Sequence, residues 1–366
     1  MLCYNKNIDG RNSSAMDIYC PTMKEFIMKS IVSLQKKLIP DLLEVMEDRY
    51  TILQSVNLLQ PIGRRALAED VNLTERQVRS EVDFLQSQGL IEITTKGMYV
   101  TQEGNRALEK LADFMSELRG LNVLEEQLKE KLKIDNLIIV PGNSDKKLWV
   151  KQEMGKSCVS YLKTIVSTNN TIAVTGGTSI AAVADVMMPL NKAEDYQFVP
   201  ARGALGEEVE NQATRIVETM AKRANGNYSL LYVPDPLSEA AYQSLMEEPS
   251  IHDIVSKIKE ANIVLHGVGD ALTMAKRRKT SDVVIKTLEE KQAVSEAFGY
   301  YFDQAGNIVH RVRTVGLHLE DLDSIDYVIT IAGGKSKGRA IASYFERGKS
   351  DLLITDEACA EEILKG

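Results

Sequence analysis

From Ile134 to the C-terminus, short apolar runs alternate with longer helical runs, and this rhythm limits the fold more than any single motif. Leu137–Val140, Thr171–Val174, Tyr196–Val199, Ser229–Val233, Asn262–Leu265, Tyr327–Ile331 and Leu352–Ile354 read as strands. The stretches Lys146–Val166, Glu208–Arg223, Ile251–Lys259 and Ser336–Phe345 read as helices between them. Such alternation predicts a doubly wound, Rossmann-like α/β domain, a parallel sheet with helices on both faces. In sheets of this kind ligands gather beyond the carboxyl ends of the strands. Small or polar clusters fall at those ends: Gly176-Gly-Thr-Ser179, Ala201-Arg-Gly-Ala-Leu-Gly206, Gly267-Val-Gly-Asp270 and Ala332-Gly-Gly-Lys-Ser-Lys337.

The first of these clusters has the character of an anion turn. Gly176 and Gly177 allow a tight bend, and Thr178 and Ser179 are placed to cap the helix that follows. A helix start offers unpaired N–H groups and positive dipole character to a phosphate. An ordinary βα turn with a Thr cap fits the same residues. Arg202, Arg277, Arg278, Lys335 and Lys337 follow the strand ends, and a ring of cations there suits a phosphorylated small molecule. There is no GxGxxG after the first strand and no GxxxxGK[ST], which argues against a dinucleotide or nucleoside triphosphate.

Ahead of that domain lies a different pattern. Residues 41–60, 64–71 and 74–88 are helical, with Pro61-Ile-Gly63 and Asn72-Leu-Thr74 as breaks and Thr74/Gln77 as a capping box. Two short strands, 90–94 and 98–101, meet at Thr95-Lys-Gly97. Helices followed by a two-stranded wing describe a winged helix-turn-helix, whose second helix of the pair enters the major groove. Arg76 and Arg79 on that helix are candidate base or phosphate readers, and Arg64, Arg65 and Lys96 suit phosphates. A winged helix used for protein contacts, with these cations solvated, is the competing reading. The connector 105–133 carries leucines at spacings of mostly 3 and 4, which fits either a dimer seam or packing within one chain. Residues 1–27 read as a disordered leader or extension. The expected domains are therefore 28–104, 105–133 and 134–366.

With 366 residues and a net charge of −8, a protein that coats nucleic acid or anionic membrane with its whole surface is excluded, though a small basic face is not. The four cysteines show no metal spacing, and Cys158 and Cys359 read as apolar filler in a reducing, cytoplasmic setting. No apolar run reaches the ~18 residues of a membrane span. The four histidines likewise lack metal spacing, and His266 reads as a core residue. Asp270 and Glu296 can serve as acid or base on a sugar; equally, Asp270 can cap a helix and Glu296 can hold a hydroxyl without chemistry.

Taken together, several stretches resemble the SorC/DeoR group of bacterial sugar-responsive regulators. They are Gln35–Leu43, Pro61–Leu67, Thr175–Thr178, Ala201-Arg-Gly203, His266–Asp270 with Met274–Lys279, and Gly333–Ala340. The resemblance runs from about residue 28 to the end. It implies a repressor of a glycolytic operon that binds operator DNA as a homo-oligomer. Its effector domain would resemble sugar-phosphate isomerases and bind fructose 1,6-bisphosphate. It further implies that Gly176, Gly177, Thr178, Ser179, Arg202 and Gln212 hold one phosphate. Arg277 and Arg278 would lie near the sugar and the other phosphate, Glu296 would meet a hydroxyl, and Lys337 would neutralise the second phosphate. Ser179 stands where the resemblance leads one to expect a second threonine, and its hydroxyl can do the same work. No catalytic constellation accompanies these residues, so the expectation is binding without turnover, with no metal or cofactor. The rival from another class is a sugar-phosphate isomerase or deaminase carrying a regulatory domain.

Overall fold

The computed structural model describes residues 21–366 apart from residues 72, 191–194, 204–208 and 236; the side chains of residues 21–27, 29 and 209 also lie outside the description. The chain divides into two compact units, residues 1–120 and 121–366.

The first unit is built from α1 (Pro21–Leu38), α2 (Pro40–Leu59), α3 (Arg64–Val71), α4 (Glu75–Ser87), β1 (Ile91–Thr94), β2 (Gly97–Val100) and α5 (Gln102–Arg119). Helix α1 already spans Pro21–Leu38, so part of the expected irregular leader is helical, while residues 1–20 lie outside the described residues. The expected capping box opens α4: Thr74 Oγ1 accepts from Gln77 N at 3.3 Å, and Gln77 Oε1 accepts from Thr74 N at 3.1 Å. Val78, Val82 and Leu85 on the inner stripe of α4 are buried with Leu67, Ile91 and Met98. Strands β1 and β2 pair antiparallel, Ile91 opposite Val100 and Thr94 opposite Gly97. Gly97 has φ +139°, and a Cβ there would lie 3.0 Å from the backbone of Ile62, so the wing turn packs this closely only with glycine.

The second unit begins with α6 (Leu121–Leu132), β3 (Leu137–Val140), α7 (Leu148–Ile165), β4 (Asn170–Val174), α8 (Thr178–Val186), β5 (Tyr196–Pro200), α9 (Ala213–Ala224) and β6 (Asn227–Tyr228). It continues through α10 (Glu239–Met246), α11 (Pro249–Lys259), β7 (Ile263–His266), β8 (Gly269–Asp270), α12 (Ala271–Arg277) and α13 (Asp282–Glu290). The rest is β9 (Ser295–Ala297), β10 (Tyr300–Phe302), β11 (Ile308–Arg311), β12 (Tyr327–Ile331), α14 (Gly338–Phe345), β13 (Leu352–Asp356) and α15 (Glu357–Lys365). Among the described residues, the main sheet has seven strands in the order β3-β13-β12-β7-β4-β5-β6, and every pairing is parallel. From β4 the chain steps outward to β5 and β6, then returns to β7 on the other side of β4. That reversal opens a crevice at the carboxyl ends of β4 and β7.

The strand expected at Ser229–Val233 is displaced: β6 is Asn227–Tyr228. Leu231 and Val233 are buried but Tyr232 is 79% exposed, so the apolar alternation reflects burial of a segment outside β6, which keeps one backbone bond to β5 from Ser229 N to Phe198 O at 3.1 Å. The expected helix Glu208–Arg223 is a 3-10 turn at Val209–Asn211 and then α9, with residue 208 outside the description. A four-stranded antiparallel sheet, β11-β10-β9-β8, was not expected. His266 is fully buried between Phe298 and Tyr344 at ring separations of 4.9 and 5.3 Å, and burial lowers its pKa to about 4. It is a core residue.

The connector 105–133 is two helices that break at Gly120, which ends α5 with φ +74°. Leu108, Met115 and Leu118 of α5 are buried within the first unit, and Leu121, Leu128 and Leu132 of α6 within the core of the second. The leucine pattern is therefore satisfied inside each unit. Leu128→Ala should lower unfolding stability by about 2–5 kcal/mol, as expected for a buried leucine. Urea unfolding over a range of protein concentrations checks this: the loss should not vary with concentration, whereas a seam between chains would give a concentration-dependent loss.

Candidate effector cavity and DNA-reading helix

A cavity of about 550 Å³ opens at the carboxyl ends of β4 and β7. All ten expected ligand residues line it: Gly176, Gly177, Thr178, Ser179, Arg202, Gln212, Arg277, Arg278, Glu296 and Lys337. The volume falls within the range of about 300–1,000 Å³ usual for small-molecule sites.

The glycine turn differs from the expected cap. Gly177, with φ +121°, is itself the N-cap of α8, and Thr178 and Ser179 are the first helical residues. No side chain caps α8, and its first backbone rung is Ala181 N to Gly177 O at 2.9 Å. The N–H groups of Thr178, Ser179 and Ile180 thus precede the first rung, at a helix start that lines the cavity. Gly176 approaches Asn211 so closely that a Cβ would lie 2.7 Å from its carbonyl oxygen. Asp270 caps α12, accepting from Thr273 N at 2.9 Å. Of its two expected roles, the structure shows capping.

The expected ring of cations resolves into two groups. Arg202 and Arg278 are buried and paired. Arg202 donates through Nε and Nη2 to Asp235 Oδ2, the Nε bond at 3.0 Å, and through Nη1 to Glu296 Oε1 at 3.3 Å. Arg278 donates to Glu296 Oε1 at 2.7 Å and to Tyr301 Oη at 2.8 Å. Gly299 N adds a third donor to Glu296 Oε1, at 2.7 Å. Burial pushes the Glu296 carboxyl up, but Arg278, Arg202 and the Gly299 N–H more than offset this and hold it below the usual carboxylate range. The cavity floor is thus two arginines balanced by two carboxylates. Each Glu296 bond named here ends on Oε1.

Lys337, Arg277 and Lys151 form the second group. All three line the cavity, and none forms an ion pair among the described residues. Burial, then the charges of Lys151 and Arg277, lower the Lys337 pKa against the opposing pull of Asp145. Lys335, expected in the ring, instead points at Glu362, 3.9 Å away, and does not line the cavity. Lys151, on α7, was missed because it sits in an ordinary helical run with no motif around it. Asp145 was missed likewise; it accepts from Ser336 N at 2.8 Å and Ser336 Oγ at 2.9 Å, fixing the turn before Lys337.

On the first unit, Arg76 and Arg79 are exposed on α4 and Lys96 is exposed at the wing turn. Among the described residues none of the three is in an ion pair. Arg64 is 2.8 Å from Asp83, and Arg65 lies 3.6 Å from Glu69, both at the surface. Such exposed pairs are weak and exchange readily for phosphate contacts. No helix among the described residues is long and apolar enough to cross a membrane.

Removing the Glu296 charge leaves Arg202 and Arg278 buried against a single carboxylate. Glu296→Gln, which keeps the volume, should destabilise the second unit by about 3–5 kcal/mol. Urea unfolding without ligand measures this; an unchanged midpoint would contradict the balanced floor.

Comparison with known proteins agrees with this division of the chain. The Sugar-bind family, a sugar-binding domain, matches residues 116–365, and the CggR N-terminal DNA binding domain matches residues 45–115. The central glycolytic genes regulator of Priestia megaterium (strain DSM 319 / IMG 1521) is 49% identical over 339 residues, spanning 92% of this chain and 99% of that protein. Its counterpart of the same name in Bacillus subtilis (strain 168) is 47% identical over 338 residues, with the same coverage. Among solved structures, the SorC family transcriptional regulator from Enterococcus faecalis is similar at a TM-score of 0.63 and 44% identity, covering 66% of this chain and 99% of that one. The full-length sorbitol operon regulator SorC from Klebsiella pneumoniae shares the fold at 16% identity, with a TM-score of 0.62 over 83% of this chain and 94% of that one. Given identity near one half over nearly the whole length, and a DNA-binding and a sugar-binding family both matched, the chain belongs to the SorC-type transcriptional regulators, among the central glycolytic genes regulators.

Proposed function

We propose that this regulator represses a glycolytic operon by binding its operator through the winged helix, and that a phosphorylated hexose, fructose 1,6-bisphosphate, is the effector that releases it. The observation that carries the ligand class is the cavity itself. A helix start without a side-chain cap and three cations outside any described ion pair converge on one space of about 550 Å³. Apolar or cationic ligands would leave those charges uncompensated, whereas a doubly phosphorylated sugar offers two anionic ends. In this reading Gly176, Gly177, Thr178, Ser179 and Gln212 hold one phosphate, with the Arg202 side of the floor beneath it. Arg277 and Lys337 meet the other phosphate. Arg202 and Arg278 keep Glu296 ionised and oriented, so that its second oxygen accepts from a sugar hydroxyl.

Arg76 and Arg79 would enter the major groove, with Arg64, Arg65 and Lys96 on phosphates. A homo-oligomer, a dimer or on DNA a tetramer, would present paired winged helices to a two-fold operator. A cytoplasmic location follows from this work. No second reading is favoured, since two proteins that share nearly half of their residues with this chain are regulators by name.

Fluorescence anisotropy on operator DNA, titrated with fructose 1,6-bisphosphate and with fructose 6-phosphate, tests the assignment. The bisphosphate should weaken or remodel operator binding at concentrations where the monophosphate does not. Arg79→Ala should weaken specific operator binding by roughly ten-fold or more while leaving calorimetric bisphosphate binding intact. If no phosphosugar altered either operator affinity or assembly state, the effector assignment would fail.

A further inference from the structure

We propose that Lys151, on α7, is an additional anion-binding residue of the cavity, and that it forms with Lys337 a lysine pair that takes up one phosphate dianion of the ligand. This rests on the sugar-phosphate reading above and concerns how that site selects charge.

The geometry points to this pair. Lys151 and Lys337 both line the cavity, yet they come from distant parts of the chain: the first turn of α7 and the 3-10 turn Lys335–Lys337 that leads into α14. Lys151 Nζ donates to Thr178 Oγ1 at 3.3 Å, which places its ammonium at the open start of α8. Among the described residues, that hydroxyl is the one hydrogen-bond partner of Lys151, and no carboxylate lies within ion-pair reach. Asp145, an acidic lining group, is occupied by the backbone and hydroxyl of Ser336.

The charge of Lys151 weighs on Lys337, whose ammonium is disfavoured by burial and then by its neighbour. Two like charges held beside a cavity, each outside any ion pair among the described residues, are stabilised by whatever anion enters between them. A phosphate dianion, the one that Lys337 and Arg277 meet in the reading above, supplies both the charge and enough acceptor oxygens for two ammonium groups at once. The arginines of the floor cannot play this part in the same way, because Asp235 and Glu296 already balance them. Bound phosphate would then tie α7 to the turn before α14, two elements that follow different strands of the sheet.

The test is calorimetric titration of the full-length protein with fructose 1,6-bisphosphate and with fructose 6-phosphate at several salt concentrations. Wild type, Lys151→Gln and Lys151→Arg are compared, each first shown by thermal melting to be folded. Lys151→Gln should weaken bisphosphate binding by roughly ten- to a hundred-fold, the worth of a charge-assisted bond. Its plot of log Kd against log salt should be shallower than that of wild type, and Lys151→Arg should bring affinity back to within a few-fold. Equal affinity and salt slope in Lys151→Gln and wild type would overturn the proposal. So would equal losses in the Gln and Arg variants with an unchanged salt slope, which is the signature of a packing role. Failure of the wild type to bind either sugar would remove the effector reading itself, and the proposal with it.

Discussion

Glu296 holds the floor of the cavity in the second unit together. Its carboxylate is almost wholly buried, and three donors reach one of its oxygens from elements far apart in sequence: Arg202 after β5, Arg278 at the end of α12, and the Gly299 N–H between β9 and β10. A buried carboxylate in such a place needs compensating charge, and the two arginines need it in return. Asp235 completes the balance from beyond β6. The result is a rigid polar floor that spans the main sheet and the small antiparallel one. It leaves the remaining cations, Lys151, Arg277 and Lys337, to the cavity.

This separation of charge would let an acidic chain hold an anion. The net charge of −8 says nothing about the site. What matters is that three cations are kept out of ion pairs beside an uncapped helix start, in a place where water is partly excluded. The reversal of strand order between β4 and β7 creates that place, and the glycines at 176 and 177 let the chain approach it closely.

Much of this was legible from residues alone. Tyr327–Ile331 and Arg64–Val71 were expected at the limits they occupy, because each has clear breaks and a strong period. The capping box of α4 was legible for the same local reason. The small sheet was not, since its strands are two to four residues long and carry buried polar groups such as Ser295 and Glu296. In the cavity, the glycine turns marked the walls. The pairing of Arg202 with Asp235 and Glu296 could not be read, because it joins residues 33 and 94 positions apart. Lys151 was invisible for a related reason: a lysine in an amphipathic helix carries no local sign that its tip reaches a distant turn.

Under the proposed function, one ligand in the second unit and one operator on the first are linked through a single equilibrium. Such coupling is reciprocal: the factor by which effector weakens operator binding must equal the factor by which operator weakens effector binding. The direct measurement is the affinity for fructose 1,6-bisphosphate with and without saturating operator DNA, set beside the affinity for operator with and without saturating bisphosphate. The account predicts two equal factors, each well above one. Bisphosphate affinity unchanged by operator would contradict it.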